Sequence, residues 1–203
     1  MKTRSILLVL IFLIPVIGFS QDLEMVDYIS PFNDDVAAVK KGSSWAFIDD
    51  NGMIVVDFRK DFVISNKDKI KYPIFNDGRS LIQLKKKGIT YFGYIDKSGK
   101  VAIEPQFLNA TNFQEGHAIV LELVKQNVGT NELLEKPLVS YDYFEAVINT
   151  DGEIVSYLVE KPIHITLDKE YIRKPPPLTC KLLSKNLIAK QNKDRTWSVR
   201  KIE

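Results

Sequence analysis

The 203-residue chain has 28 basic and 26 acidic side chains, for a formal net charge of +2. That near-balance gives no electrostatic reason to expect nucleic acid or an anionic membrane surface as partner. One cysteine, Cys180, excludes an intrachain disulfide, so packing and hydrogen bonds alone must hold the fold.

Residues 1–20 read as a secretory signal peptide. Lys2 and Arg4 precede an apolar run from Ile6 to Ile14, then Pro15, with the small residues Gly18 and Ser20 before the cut expected after Ser20. Even the longer run from Ile6 to Phe19 falls short of the roughly 18–20 apolar residues that cross a bilayer. Stable membrane insertion after cleavage is therefore not expected. No cysteine stands at the cut to carry a lipid. The expected location is the periplasm or the extracellular space. Removing 20 of 203 residues leaves 183, with 26 basic and 26 acidic side chains, enough for one domain with a real core.

Residues 21–160 are organised as a β-repeat region. Each unit opens with a phenylalanine and a turn-forming pair, and then alternates, over 32–41, 75–85 and 113–123. A second alternating strand follows over 44–49, 90–96 and 143–149, and a third over 53–58, 100–103 and 153–159. Period-2 alternation on both sides of a glycine turn is the pattern of a β-hairpin. The glycine pairs Asn51-Gly52, Ser98-Gly99 and Asp151-Gly152 mark those turns, and the first and third are expected to take positive φ at both central positions. The fold class is all-β: an array of three antiparallel hairpin or meander repeats plus a partial C-terminal fourth, forming an open or partly closed sheet.

The best copy is Phe92-Gly93-Tyr94-Ile95-Asp96-Lys97-Ser98-Gly99-Lys100. Its trailer is Ile103-Glu104-Pro105-Gln106-Phe107, and Ala110-Thr111-Asn112-Phe113 then leads into Glu115-Gly116-His117-Ala118. These residues resemble the WG-repeat family of bacterial proteins, named for a Trp-Gly pair opening a strand that ends in Tyr-Ile-Asp. The pair itself stands here as Trp45-Ala46, Phe92-Gly93 and Glu145-Ala146, and the resemblance extends over residues 32–155. It implies a β-repeat scaffold and no particular chemistry.

Repeat spacing locates two inserts. Gly52 to Phe75 is 23 positions against 14 from Gly99 to Phe113, and the extra residues centre on Arg59-Lys60-Asp61 and 66–69. Phe113 to Gly152 is 39 positions against 24 from Phe75 to Gly99, with the excess placed in a polar loop over 124–137. Residues 132–135 are read as one helical turn within it. Long loops on a regular scaffold are where binding is first sought.

Residues 161–203 read as a C-terminal β extension. It has an alternating run over 161–167, a stiff spacer at Pro175-Pro176-Pro177, and a partial capping repeat in which 186–190 and 195–199 echo the first two strands of a unit. In that echo Trp197 corresponds to Trp45.

Candidate chemistry is sparse. Asp49-Asp50-Asn51-Gly52 lacks the distal glutamate of a calcium loop, and Lys85-Lys86-Lys87 reads as a solvated turn. Cys180 has neither histidine, His117 or His164, in a local motif with it, and reads as a packed thiol. No catalytic, cofactor-binding or metal-binding residue is assigned. Trp45, Phe92, Tyr94, Phe107 and Trp197 are read as core aromatics. The expected function is a non-catalytic secreted or periplasmic module binding an envelope protein, peptide or glycan, or serving as a scaffold. The alternative is an envelope-polymer hydrolase using scattered carboxylates such as Asp96, Glu104 and Glu115.

Overall fold

Alternating segments form strands, and the strands pair mostly with their sequence neighbours. A computed structural model of the chain describes residues 23–65, 71–131 and 136–202. The signal segment with its cut after Ser20, residues 66–69 of the first insert and the helical turn expected over 132–135 lie outside the described residues. All described elements are strands, grouped into four antiparallel sheets.

The first sheet runs β1 (Tyr28–Ile29), β2 (Ala37–Lys41), β3 (Ser44–Ile48) and β4 (Ile54–Arg59). The second runs β5 (Phe75–Asn76), β6 (Arg79–Lys86), β7 (Ile89–Ile95) and β8 (Val101–Phe107). In the third, β9 (His117–Asn131) pairs along β10 (Lys136–Asn149), whose other edge is shared by β11 (Ile154–Tyr157) and β12 (Ile163–His164). The fourth is β13 (Cys180–Ser184), β14 (Leu187–Gln191) and β15 (Trp197–Lys201), one strand short of the first two.

The glycine turns are equivalent in all three repeats, with φ of 77°, 79° and 86° at Gly52, Gly99 and Gly152. They are not the two-residue turns the Asn-Gly and Asp-Gly pairs suggested. Asn51 and Asp151 do not have positive φ. Each loop has three residues, with one left-handed glycine closing a type I turn: Gly99 N donates to Asp96 O at 3.0 Å, and Asp96 N to Lys100 O at 2.9 Å. The residue ahead of the turn decides this geometry. Asp96 Oδ1 accepts from Ser98 N at 2.8 Å and Lys100 N at 3.1 Å. Asp49 does the same for Asn51 and Met53, and Asn149 for Asp151 and Glu153. Turns with two consecutive left-handed residues occur instead at Asp34–Asp35, Asp77–Gly78, Lys87–Gly88 and Glu115–Gly116.

The Ser98 hydroxyl, and then the Lys100 and Ser98 amides, hold the Asp96 carboxyl below its ordinary range despite some desolvation. A carboxylate lowered in the folded state adds stability above its unfolded pKa and loses it as pH falls through the folded value. Asp96→Asn, which copies Asn149, is therefore expected to fold at neutral pH. It should lose less stability than the parent between neutrality and pH 3 (roughly the carboxylate range), as read by urea midpoints.

The fourth unit has a turn the sequence echo left out. Asn192 N donates to Thr196 O and Arg195 N to Asn192 O, the same pair of bonds as at Asp96, with Arg195 at φ 69° in the glycine's place. Trp197 therefore follows the turn, where Ile54, Val101 and Ile154 stand, and does not correspond to Trp45. It is 49% exposed, so its assignment to the core is corrected; Lys181 Nζ lies 4.4 Å from its ring centroid. No further sheet covers that side among the described residues.

The core lies between sheets. On β6 and β7, Ile82 and Ile95 pack with Phe47 and Val56 of the first sheet. Leu81, Phe92 and Tyr94 pack with Val120, Ala146 and Ile148 of the third. On β9 and β10, Ile119 and Val147 turn instead toward Cys180 and Ile188 of the fourth. Alternate side chains thus serve opposite neighbours, which is why the middle of each strand is apolar at successive positions. The leading phenylalanines join the units edge-on: Phe75 on Phe47 and Phe113 on Tyr94, with centroids 4.7 Å apart in both pairs. Among the described residues Phe32 has no earlier unit to pack on, and it is 53% exposed.

Candidate functional site

Of the insert expected as a polar loop over 124–137, the described residues 124–131 and 136–137 are instead paired strand. β9 and β10 continue in register past their sheet, with Lys125 opposite Tyr141 and Gln126 opposite Ser140, through a bulge between Leu138 and Val139. Alternating Val124, Gln126, Val128 and Thr130 face a partner rich in β-formers, so pairing outcompetes the breaker residues. Beyond Asp142 and Tyr143, where β12 joins, the hairpin has two strands. Val128, Leu138 and Val139 are 61%, 48% and 38% exposed on it.

Of the aromatics read as core, Trp45, Phe92, Tyr94 and Phe107 are buried. Tyr94 donates its hydroxyl to Thr111 O at 2.7 Å, and full burial raises its pKa.

Two of the three candidate carboxylates have structural partners. Asp96 caps its own turn, and Glu115 Oε2 accepts Lys185 N at 2.6 Å; Glu104 lies exposed in β8. Glu115 belongs to a ladder that sequence reading did not reveal. Asp34 Oδ2 accepts Gly78 N at 2.7 Å, Asp77 Oδ2 accepts Gly116 N at 2.8 Å, and Glu115 takes the Lys185 amide in turn. The acidic residue in the opening turn of each unit thus binds the backbone of the next. Its signal was the acidic residue two places after each leading phenylalanine.

His164 Nδ1 lies 3.2 Å from Asp142 Oδ1 and 3.3 Å from Ser140 Oγ. A relay from carboxylate through imidazole to hydroxyl needs opposite ring nitrogens. Here both partners meet the same one, so the cluster cannot pass a proton that way. His117 Nδ1 meets Glu115 O. Cys180 is buried between Thr179 and the third sheet, where burial, reinforced by Glu145, pushes its thiol up to about 11. A thiol raised this far carries little thiolate at neutral pH.

Glu145 occupies the tryptophan position of its repeat and is 3% exposed. Its Oε1 accepts Thr179 N at 2.9 Å and Cys180 N at 2.8 Å, and Oε2 accepts Thr179 Oγ1 at 2.5 Å. A carboxylate here replaces an aromatic so that the start of β13 can dock. Lys87 sits in the β6–β7 turn, and Lys86 Nζ reaches Pro105 O at 3.2 Å.

A groove of about 830 Å³ runs beside the opening turns of the first three units and reaches β13. Among the described residues, no group of three His, Cys, Asp or Glu side chains is arranged to hold a metal ion, and no helix is long and apolar enough to cross a membrane.

A family model described as WG containing repeat matches residues 26–45 and 92–122. These are the first unit through Trp45 and the second from Phe92 into β9. The third hairpin, over 143–154, lies outside the matched segments although its turn is the same. No curated protein and no solved structure matches the chain. The chain therefore carries WG-containing repeat sequence at residues 26–45 and 92–122, built into a four-sheet β array.

Proposed function

We propose that this chain is an exported, non-catalytic β-repeat module that holds a partner protein in the cell envelope through the β9–β10 arm. The observation that carries the reading is the arm's two-stranded reach beyond its sheet with apolar side chains in solvent. An isolated two-stranded hairpin is marginally stable in water, so a partner that covers Val128, Leu138 and Val139 would steady it. Export rests on the basic, apolar and small-residue order of positions 1–20.

The test replaces residues 126–140 by Asn-Gly, which closes the hairpin between the paired Lys125 and Tyr141. A photo-crosslinker at Val128 of the parent should link one dominant envelope protein, and the trimmed chain should fold but no longer capture it. Undiminished capture after trimming, or turnover of an envelope polymer by the purified chain, would overturn the proposal.

A further inference from the structure

The groove beside the opening turns is distinct from the arm and shares no residue with it. Its lining is unusual in what it offers for hydrogen bonding. The amides of Gly78 and Gly116, which follow the lining residues Asp77 and Glu115, are already donated to Asp34 and Asp77 by the ladder. Side-chain groups are free beside them: among the described residues, the amides of Asn112 and Gln114 have no partner, and Asp77 Oδ1 and Glu115 Oε1 accept nothing. Phe32 lines the same groove with its ring half in solvent, released from the edge-on packing that Phe75 and Phe113 provide.

We propose that this groove binds an uncharged pyranose oligosaccharide. An anion is disfavoured, because the carboxylates of Asp34, Asp77 and Glu115 line the wall. Strand addition is disfavoured too, because it needs a row of unpaired backbone groups, and only Asn76, Lys181 and Leu182 of the lining lie in strands. A chain of sugar rings meets all the terms at once. Its hydroxyls donate to the spare carboxylate oxygens in charge-assisted hydrogen bonds, and they both donate to and accept from the Asn112 and Gln114 amides. Its apolar ring face covers Phe32. The volume lies within the usual range for ligand pockets, roughly 300–1,000 Å³.

The experiment is an NMR titration of the mature chain with cellotetraose and, separately, with tetra-N-acetylchitotetraose. At least one should shift the side-chain NH₂ signals of Asn112 and Gln114 in a saturable way, and which one does so identifies whether acetamido groups are required. Phe32→Ala, an exposed position, should keep the parent melting temperature and weaken binding at least about tenfold, a change of about 1.4 kcal/mol. Asn112→Asp, which removes the amide donor at nearly constant shape, should weaken it as well. The proposal fails if neither sugar moves those signals, if Phe32→Ala binds as the parent does, or if spermine shifts the same signals at lower concentration. The last outcome would make the groove a cation site.

Discussion

Gly93→Ala is expected to destabilise the protein more than any substitution at a turn glycine. A Cβ at position 93 would lie 2.5 Å from Ile103 O, 2.6 Å from Pro105 N and 2.8 Å from the Glu104 carbonyl carbon. All three are backbone atoms of the facing strand, which cannot rotate away. The reason is a bulge. Phe92 faces Phe107 and Tyr94 faces Ile103, so Glu104, Pro105 and Gln106 all crowd opposite Gly93. Pro105 suits that place because it has no ladder hydrogen to donate. The cost should be about 3 kcal/mol or more, the upper end of overpacking. Gly42→Ala is the control: at φ 59°, with nothing near its added carbon, it should lose about 1–2 kcal/mol through backbone strain alone. Urea midpoints of the two variants decide the order. The same geometry explains why alanine suffices elsewhere: two residues rather than three lie opposite Ala46, and Ala146 pairs directly with Tyr157.

Glu145→Ala is expected to release the fourth sheet while the first three remain. The substitution orphans the amides of Thr179 and Cys180 at a buried junction, at roughly 1–3 kcal/mol each. Hydrogen exchange should accelerate over 178–202, and Cys180, inert in the parent, should become reactive toward a thiol reagent. Glu145→Gln keeps a carbonyl acceptor for both amides and should behave close to the parent. Parent-like exchange over 178–202 in Glu145→Ala would mean that the carboxylate's bonds are not what docks this sheet. Loss of protection throughout the chain would mean that the four sheets unfold as one.

Strand order, the position of the Gly52, Gly99 and Gly152 turns and the burial of Trp45, Phe92 and Tyr94 were legible because alternation and glycine placement act locally. What escaped had longer-range causes. An Asn-Gly pair favours two left-handed residues, but Asp49 captures two amides of its own turn and selects the three-residue loop. The 124–137 segment looked like a loop by its polar residues, and the strand that pairs with 124–131 lies further along the chain, over 136–142. Trp197 resembled Trp45 by type, while its register is set by a turn with Arg195 in the glycine's place. Glu145 looked like a lost tryptophan, since its partners at 179 and 180 are distant in sequence. The ladder of Asp34, Asp77 and Glu115 was written in the sequence but had no meaning until the units were stacked.

The stacking of units through that ladder is tested most directly by residue-resolved amide exchange at Gly78, Gly116 and Lys185, which sit in surface turns where exchange would otherwise be fast. The account predicts protection at all three amides, each hidden by the acidic side chain of the unit before it. Exchange at the unprotected rate at Gly78 and Gly116, with the flanking strands still protected, would show hairpins folded side by side but not joined in this register.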